Sequence, residues 1–278
     1  MRHITPGRFI CLIALLFTVL FSHAPAIAEP TGTQILDRAA LITGGKDGRA
    51  HITFTFKAPG QKEQRLGYAM LWTNHPKEAE FASKVIYFTE FPTNDRGKAY
   101  LGHIRHHGAK KPNKEWLYLP ELLAVRKLSG HHHDHSKPDE FAPSVLTHAD
   151  LMERPPTMDD NRLLGTATLD GKPLWQVESR PKKANDTYPY RAVIRWIDPK
   201  TSLTHRTDYI GQDGTPVKKA ITTWQKIDGE WLWHTVVADN LKTGAQTIIE
   251  MKDAKVNTGL KDKVFNPRIL RKGPNRFF

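Results

Sequence analysis

Residues 163–179 read LLGTATLDGKPLWQVES. Two apolar runs, Leu164–Leu169 and Leu174–Ser179, flank the pair Asp170-Gly171. Asp-Gly fits a two-residue hairpin turn because both positions accept the positive φ that such a turn needs. The stretch therefore predicts two antiparallel strands. The same punctuation recurs downstream. Asp198-Pro199 joins Arg191–Ile197 to Leu203–Ile210, and Asp213-Gly214 leads to Val217–Lys226. Asp228-Gly229 leads to Trp231–Asp239, and Lys242-Thr243-Gly244 to Gln246–Met251. Strands linked by tight turns predict an up-and-down sheet.

Upstream, Thr33 to Ile42 spaces Ile35, Leu36, Ala39 and Ala40 at helical intervals, and Gly44-Gly45 ends the helix. The period then becomes two. Ile52, Phe54 and Phe56 alternate with Thr53 and Thr55, and Leu66, Tyr68, Met70 and Trp72 with Gly67, Ala69 and Leu71. Lys84–Phe91, Lys98–Ile104 and Glu115–Leu119 continue the strand-like stretches. Residues 129–160 break the pattern with a histidine run and Pro138, Pro143, Pro155 and Pro156; Val145–Met152 has room for one or two helical turns. Leu260–Phe265 is a further short helical candidate. A sheet of about eleven strands curls strongly, and few helices are available to cover it. The expected fold is mainly β with a few short helices: one curved antiparallel sheet, a half-barrel, whose concave face is partly covered by helices and by the 129–160 loop.

The chain has 278 residues, enough for one large core. Its first 28 residues carry Arg2 and Arg8, an apolar run Phe9–Phe21 and Ala26-Ile27-Ala28, the pattern of a cleaved secretory signal. The expected organisation is a signal at 1–28 and a single domain at 29–278, exported and periplasmic. Cys11 is the only cysteine and falls inside the signal, which excludes disulfides and thiolate chemistry in the exported chain. Removing Arg2 and Arg8 lowers the net charge from +12 to +10. Export argues against a nucleic-acid partner, leaving a solvated basic surface or contact with anionic lipid.

No phosphate loop, nucleophile elbow, nucleotide fingerprint or zinc-protease helix occurs, so the expectation is a protein that is not an enzyme. Asp139-Glu140 and Asp159-Asp160 are adjacent acids in a loop, a pattern that fits a solvated segment better than a catalytic dyad. Eight of fourteen histidines lie between His103 and His148. His131, His132, His133 and His135, with His148, could bind zinc or copper, or be a solvated loop with incidental affinity. No cofactor is expected beyond such adventitious or regulatory zinc or copper. All seven tryptophans fall in predicted strands, where they either fill a core or line an apolar hollow. A hollow of that kind could lower the cost of moving acyl chains through water, and carriage needs no catalytic residue.

Several ordered motifs resemble the LolA-like outer membrane lipoprotein-sorting family. Asn113-Lys114-Glu115-Trp116-Leu117-Tyr118-Leu119-Pro120 is similar to its D-x-W-L-Y-L-P segment. Arg162–Gly165 followed by Leu169-Asp170-Gly171-Lys172-Pro173 resembles its strand and D-G-K hairpin. Tyr188-Pro189-Tyr190-Arg191 leading to Trp196-Ile197-Asp198, then Ile227-Asp228-Gly229, and a closing Val264-Phe265-Asn266-Pro267-Arg268-Ile269-Leu270 follow in the family's order. The family's acidic-aromatic segment, close to D-F-S-Y-E-D-L, is represented at Phe141–Leu151 only by Phe141 and Asp150-Leu151. The resemblance implies a half-barrel with a cavity for acyl chains, and a periplasmic carrier that receives lipid or lipoprotein acyl chains from an inner-membrane transporter or passes them to an outer-membrane acceptor. Expected lining residues are Phe54, Phe56, Tyr68, Met70, Trp72, Phe88, Trp116, Trp196 and Trp224. Two alternatives stay open: a metal-binding envelope protein using the histidine loop, and a sensor or docking module for an envelope transporter.

Overall fold

A computed structural model of the chain describes residues 29–76, 78–106, 109–128, 144–151, 154–183 and 188–278, with the backbone alone at 148 and 149. Residue contacts divide the chain into Met1–Pro30 and a body, Thr31–Phe278. No described helix is long and apolar enough to cross a membrane.

The body opens with α1 (Gly32–Ala39), started by a reciprocal cap in which Thr31 Oγ1 accepts from Gln34 N and the Gln34 side chain accepts from Thr31 N. Six strands follow: β1 (Asp47–Lys57), β2 (Gln64–Asn74), β3 (Ser83–Phe91), β4 (Ala99–Ile104), β5 (Lys114–Leu119) and β6 (Ala124–Leu128). After α2 (His148–Leu151) come β7 (Asp159–Leu169), β8 (Lys172–Pro181), β9 (Ala192–Ile197), β10 (Thr204–Ile210), β11 (Pro216–Ile227), β12 (Glu230–Asn240) and β13 (Gln246–Val256). The thirteen strands form one open antiparallel sheet in the order β6-β5-β4-β3-β2-β1-β13-β12-β11-β10-β9-β8-β7.

This order is two meanders joined at β1–β13, where Ile52 faces Met251 and Phe54 faces Ile249. The chain runs outward to one edge at β6, and the next strand, β7, is the opposite edge. Residues 129–158 must therefore link one edge of the half-barrel to the other. The length of that stretch follows from topology.

Register assigns the faces. Ala50, Ile52, Phe54 and Phe56 of β1 share a face with Met70, Tyr68 and Leu66 of β2 and with Met251 and Ile249 of β13. This is the inner face. It carries Val145 and Leu146 near its centre, and at the β7–β9 end Ile35 and Leu36 of α1 bury against Val177 and Ile197. Ala69, Leu71, Ile86, Phe88, Ala99 and Leu101 point outward and are covered by Phe265, Ile269 and Leu270. The C-terminal segment is thus a lid on the outer face. Asp47 ties it down by accepting from Thr258 Oγ1 at 2.7 Å and from the Gly259 and Leu260 amides at 3.3 and 3.2 Å.

Four details differ from the sequence reading. Strand β6 was not expected: its Ala-Val-Arg-Lys-Leu carries the charges of an exposed edge strand, which hide the alternation. Asp159 and Asp160 begin β7 instead of lying in a solvated loop, and Asp159 is buried against the Arg154 fork at 2.7–2.9 Å. Helix α1 stops at Ala39, three residues short of Ile42. The Leu260–Phe265 candidate resolves into two tight 3-10 segments, Asp262–Val264 and Pro267–Lys272, around Asn266-Pro267.

Candidate functional site

A cleft of about 290 Å3 opens on the inner face between the two meanders. Its walls are Met70 and Trp72 of β2, Val85 and Tyr87 of β3, Trp231, Leu232 and Trp233 of β12, and Met251 of β13. One end is formed by Ile42, Thr43 and Gly44 after α1, with Asn74, Ser83 and Lys84 at the rim.

Trp72 is placed by a missing side chain. It pairs with Gly48, and a Cβ at Gly48 would come within 2.2 Å of the indole ring. With no Cβ there, the ring lies across β1 and its Nε1 donates to the Gly44 carbonyl at 3.2 Å. Asn74 Nδ2 donates to the Thr43 and Gly45 carbonyls at 2.9 and 2.8 Å, which fixes the same rim loop.

From the cleft an aromatic row crosses the inner face. Phe54 meets Tyr68 edge-on at 5.9 Å, Tyr68 meets Tyr87 at 5.7 Å, and Tyr87 meets Tyr100 at 6.3 Å. The row ends where the Tyr100 hydroxyl donates to Glu115. Burial pushes the Tyr87 hydroxyl up to about 12 and raises Tyr68 and Tyr100 as well, so all three stay neutral donors at ordinary pH.

Residues 144–151 cross the inner face from its centre at β13 to β11. Val145 N donates to Thr247 Oγ1 at 2.8 Å, and Val145 and Leu146 bury among the core side chains. The Asp150 carboxylate accepts from Lys218 Nζ, from the Tyr190 hydroxyl at 2.8 Å and from the Thr147 amide at 2.8 Å. The Lys218 ammonium lies 5.3 and 5.2 Å from the Tyr190 and Tyr209 ring centres. The charges are therefore paired, hydrogen-bonded and flanked by ring faces, the conditions under which a buried pair is tolerated.

The structure divides the nine expected lining residues. Phe54, Phe56, Tyr68, Met70 and Trp72 come together on the inner face of β1 and β2, and Met70 and Trp72 border the cleft. Phe88 and Trp116 belong to the outer face, under the C-terminal segment. Trp196 is also on the outer face; its Nε1 donates to Asp208 at 2.9 Å, and the Arg206 guanidinium sits over its ring at 4.8 Å. Trp224 donates to the Thr204 carbonyl at 3.0 Å and is half-buried. Sequence reading missed Val85, Tyr87, Trp231, Leu232, Trp233 and Met251, although all six stood in strands it expected.

Of the expected metal ligands, His131, His132, His133 and His135 lie outside the described residues, as does the side chain of His148 at the start of α2. Among the described residues no group of three His, Cys, Asp or Glu side chains is placed to hold a metal ion. His103 is taken up by the fold: its Nε2 donates to the Phe265 carbonyl at 2.8 Å, and its ring packs on Trp116 at 4.9 Å.

A family model described as "Uncharacterized protein" matches residues 82–272. No functionally curated protein matches the chain. Three solved structures share the fold. A DUF1329 family protein from Desulfovibrio piger has 24% identity and a TM-score of 0.71, covering 86% of this chain and 97% of that one. An outer membrane lipoprotein-sorting type domain from Vibrio parahaemolyticus has 22% identity and a TM-score of 0.70, with 86% and 98% covered. A LolA superfamily protein from Nitrosomonas europaea has 18% identity and a TM-score of 0.59, again with 86% and 98% covered. The chain belongs to the family whose model spans β3 to the C-terminal segment, and its fold is the LolA-like half-barrel of the outer membrane lipoprotein-sorting proteins.

Proposed function

We propose that the protein is an exported carrier that shelters acyl chains of a lipid or lipoprotein in the inner hollow and catalyses no reaction. The observation that carries this reading is the cleft, whose walls are aromatic and aliphatic and whose polar groups gather at one rim. Each methylene moved from water into such a site gains about 0.8 kcal/mol. At about 290 Å3 the cleft is just below the roughly 300–1,000 Å3 of small-molecule sites, a size that suits part of a single acyl chain. The lipoprotein-sorting and LolA descriptions of the relatives support the same reading. Export by the leader at 1–28 would place the carrier in the periplasm, between an inner-membrane donor and an outer-membrane acceptor.

The test is native mass spectrometry of untagged protein from the periplasm, followed by fluorescent fatty-acid titration of wild type and Val85→Trp. The larger ring fills the cleft from a half-exposed position, so stability should change little. A co-purifying lipid and at least tenfold weaker titration of the variant are expected. Equal affinity in both proteins, or no binding in either, rejects the proposal.

A further inference from the structure

The rim of the sheet remote from the cleft carries a second, unassigned surface. Leu122 and Leu123, in the turn between β5 and β6, are 50% and 73% exposed. Leu241, in the turn between β12 and β13, is 47% exposed at the same end of the sheet. Two pairs of turns approach each other along the rim. A Cβ on Gly97 would lie 3.7 Å from the Pro120 ring, and one on Gly244 would lie 3.4 Å from the Pro59 ring.

Leu123 is anomalous in its backbone too. It has φ of +47°, in a turn closed by its own amide donating to the Pro120 carbonyl at 3.1 Å. A branched aliphatic residue is strained in that left-handed region, where glycine fits freely. At this exposure its side chain recovers almost nothing by burial. Folding therefore gives no reason for a leucine at the tip, whereas an apolar contact outside the molecule does.

The same rim carries unpaired cations beside two exposed acids, Glu63, which pairs with Lys57 at 4.0 Å, and Glu121. Lys62, Arg65 and Arg96 are exposed and carry no ion pair among the described residues, while Asp95 is held by Lys98 at 2.6 Å. Arg65 instead lies over the Phe91 ring at 5.7 Å, and Arg96 Nε donates to the Glu90 carbonyl at 2.9 Å. Each guanidinium is thereby fixed in the rim and keeps further donors for an anion.

We infer that this rim is a docking surface for an anionic lipid membrane, with Leu122 and Leu123 entering the interface and Lys62, Arg65 and Arg96 meeting headgroup phosphates. Protruding leucines flanked by cations match the physics of interfacial binding, in which apolar insertion and headgroup attraction add. A protein partner is the poorer fit. Protein hot spots favour tryptophan, tyrosine and arginine in a pocket, with leucine under-represented, and these leucines protrude from a turn.

The test is co-sedimentation of untagged protein with phosphatidylethanolamine–phosphatidylglycerol vesicles and with phosphatidylcholine vesicles. Wild type should bind the anionic vesicles more tightly, and added salt should weaken that binding. Leu122→Ser/Leu123→Gly should bind at least tenfold more weakly, with an unchanged or higher Tm, because glycine relieves the left-handed position. Lys62→Glu/Arg96→Glu should lose the salt-sensitive part. Failure of wild type to sediment with either vesicle, or undiminished binding by the leucine variant, overturns the inference. Val85→Trp should sediment like wild type, so a failed carrier reading and a failed docking surface give different results.

Discussion

Asp150 and Lys218 form an ion pair inside the half-barrel, with side chains only 1% and 8% exposed. Asp150 comes from the segment that links the two edges of the sheet, and Lys218 from the inner face of β11. The pair holds that segment across the hollow. Asp150-Leu151 is also the surviving end of the family's acidic-aromatic motif, and Tyr190, from another family-like motif, donates to the same carboxylate.

Removing one partner leaves the other charge buried and unpaired. Lys218→Ala is expected to cost about 3–5 kcal/mol in urea unfolding. Asp150→Leu/Lys218→Met keeps the volume and removes both charges, and should recover most of that loss. A double variant no more stable than Lys218→Ala would show that the pair is not the fastening.

Gly48→Ala places a methyl group where the Trp72 ring lies. The expected cost is about 1–3 kcal/mol, as for overpacking in a core. Tryptophan emission should shift to the red as the indole loses its bond to Gly44. Unchanged emission and stability would contradict the close approach of ring and backbone.

Asp47→Ala removes the acceptor for Thr258, Gly259 and Leu260. The expected loss is about 2–3 kcal/mol, because two backbone amides lose their partner. Hydrogen exchange should rise first at residues 258–270, and more in β3 and β4, which that segment covers, than in β8 and β9. Uniform exchange across the sheet would argue against a separately fastened lid.

Six tyrosines, Tyr68, Tyr87, Tyr100, Tyr188, Tyr190 and Tyr209, have hydroxyls raised above their ordinary value, in each case chiefly by burial. The unfolded chain ionises these groups near pH 10 and the folded chain does not, so unfolding releases protons above that pH. The stability they contribute is intact below about pH 10 and falls as pH rises toward 12. Tm measured from pH 8 to 11.5 should drop, with absorbance at 295 nm from these six tyrosines rising on unfolding. Full tyrosine ionisation at pH 11 in the folded state would contradict the burial.

His103 is lowered by burial, partly offset by its bond to the Phe265 carbonyl. Its folded value lies below the unfolded value of about 6.5, so the unfolded chain binds the proton first. Stability from this group is complete above pH 6.5 and is lost as pH falls below it. His103→Gln should flatten the Tm profile between pH 7.5 and 5. A profile identical to wild type would remove His103 from the account.

The sequence by itself determined the strands, their turns and the kind of sheet. Asp170-Gly171 and Asp228-Gly229 hold both turn positions at positive φ, and the alternation at Leu66–Trp72 separates two faces as the register does. Such local signals survive because turn conformation and side-chain direction depend on near neighbours.

Tertiary structure alone decided which face is the hollow and what closes it. Phe88 and Trp116 alternate as well as Tyr68 and Trp72 do, but β2–β5 carry large apolar side chains on both faces, and a period of two does not name the inner one. The C-terminal segment claims the outer face through Phe265, Ile269 and Leu270, about 150–200 residues away in sequence from those it covers. The cleft likewise needs β2, β3, β12 and β13 side by side, which follows from the pairing of β1 with β13. That pairing joins the first strand to the last. No local pattern encodes a contact between segments so far apart, and only packing of the whole chain selects it.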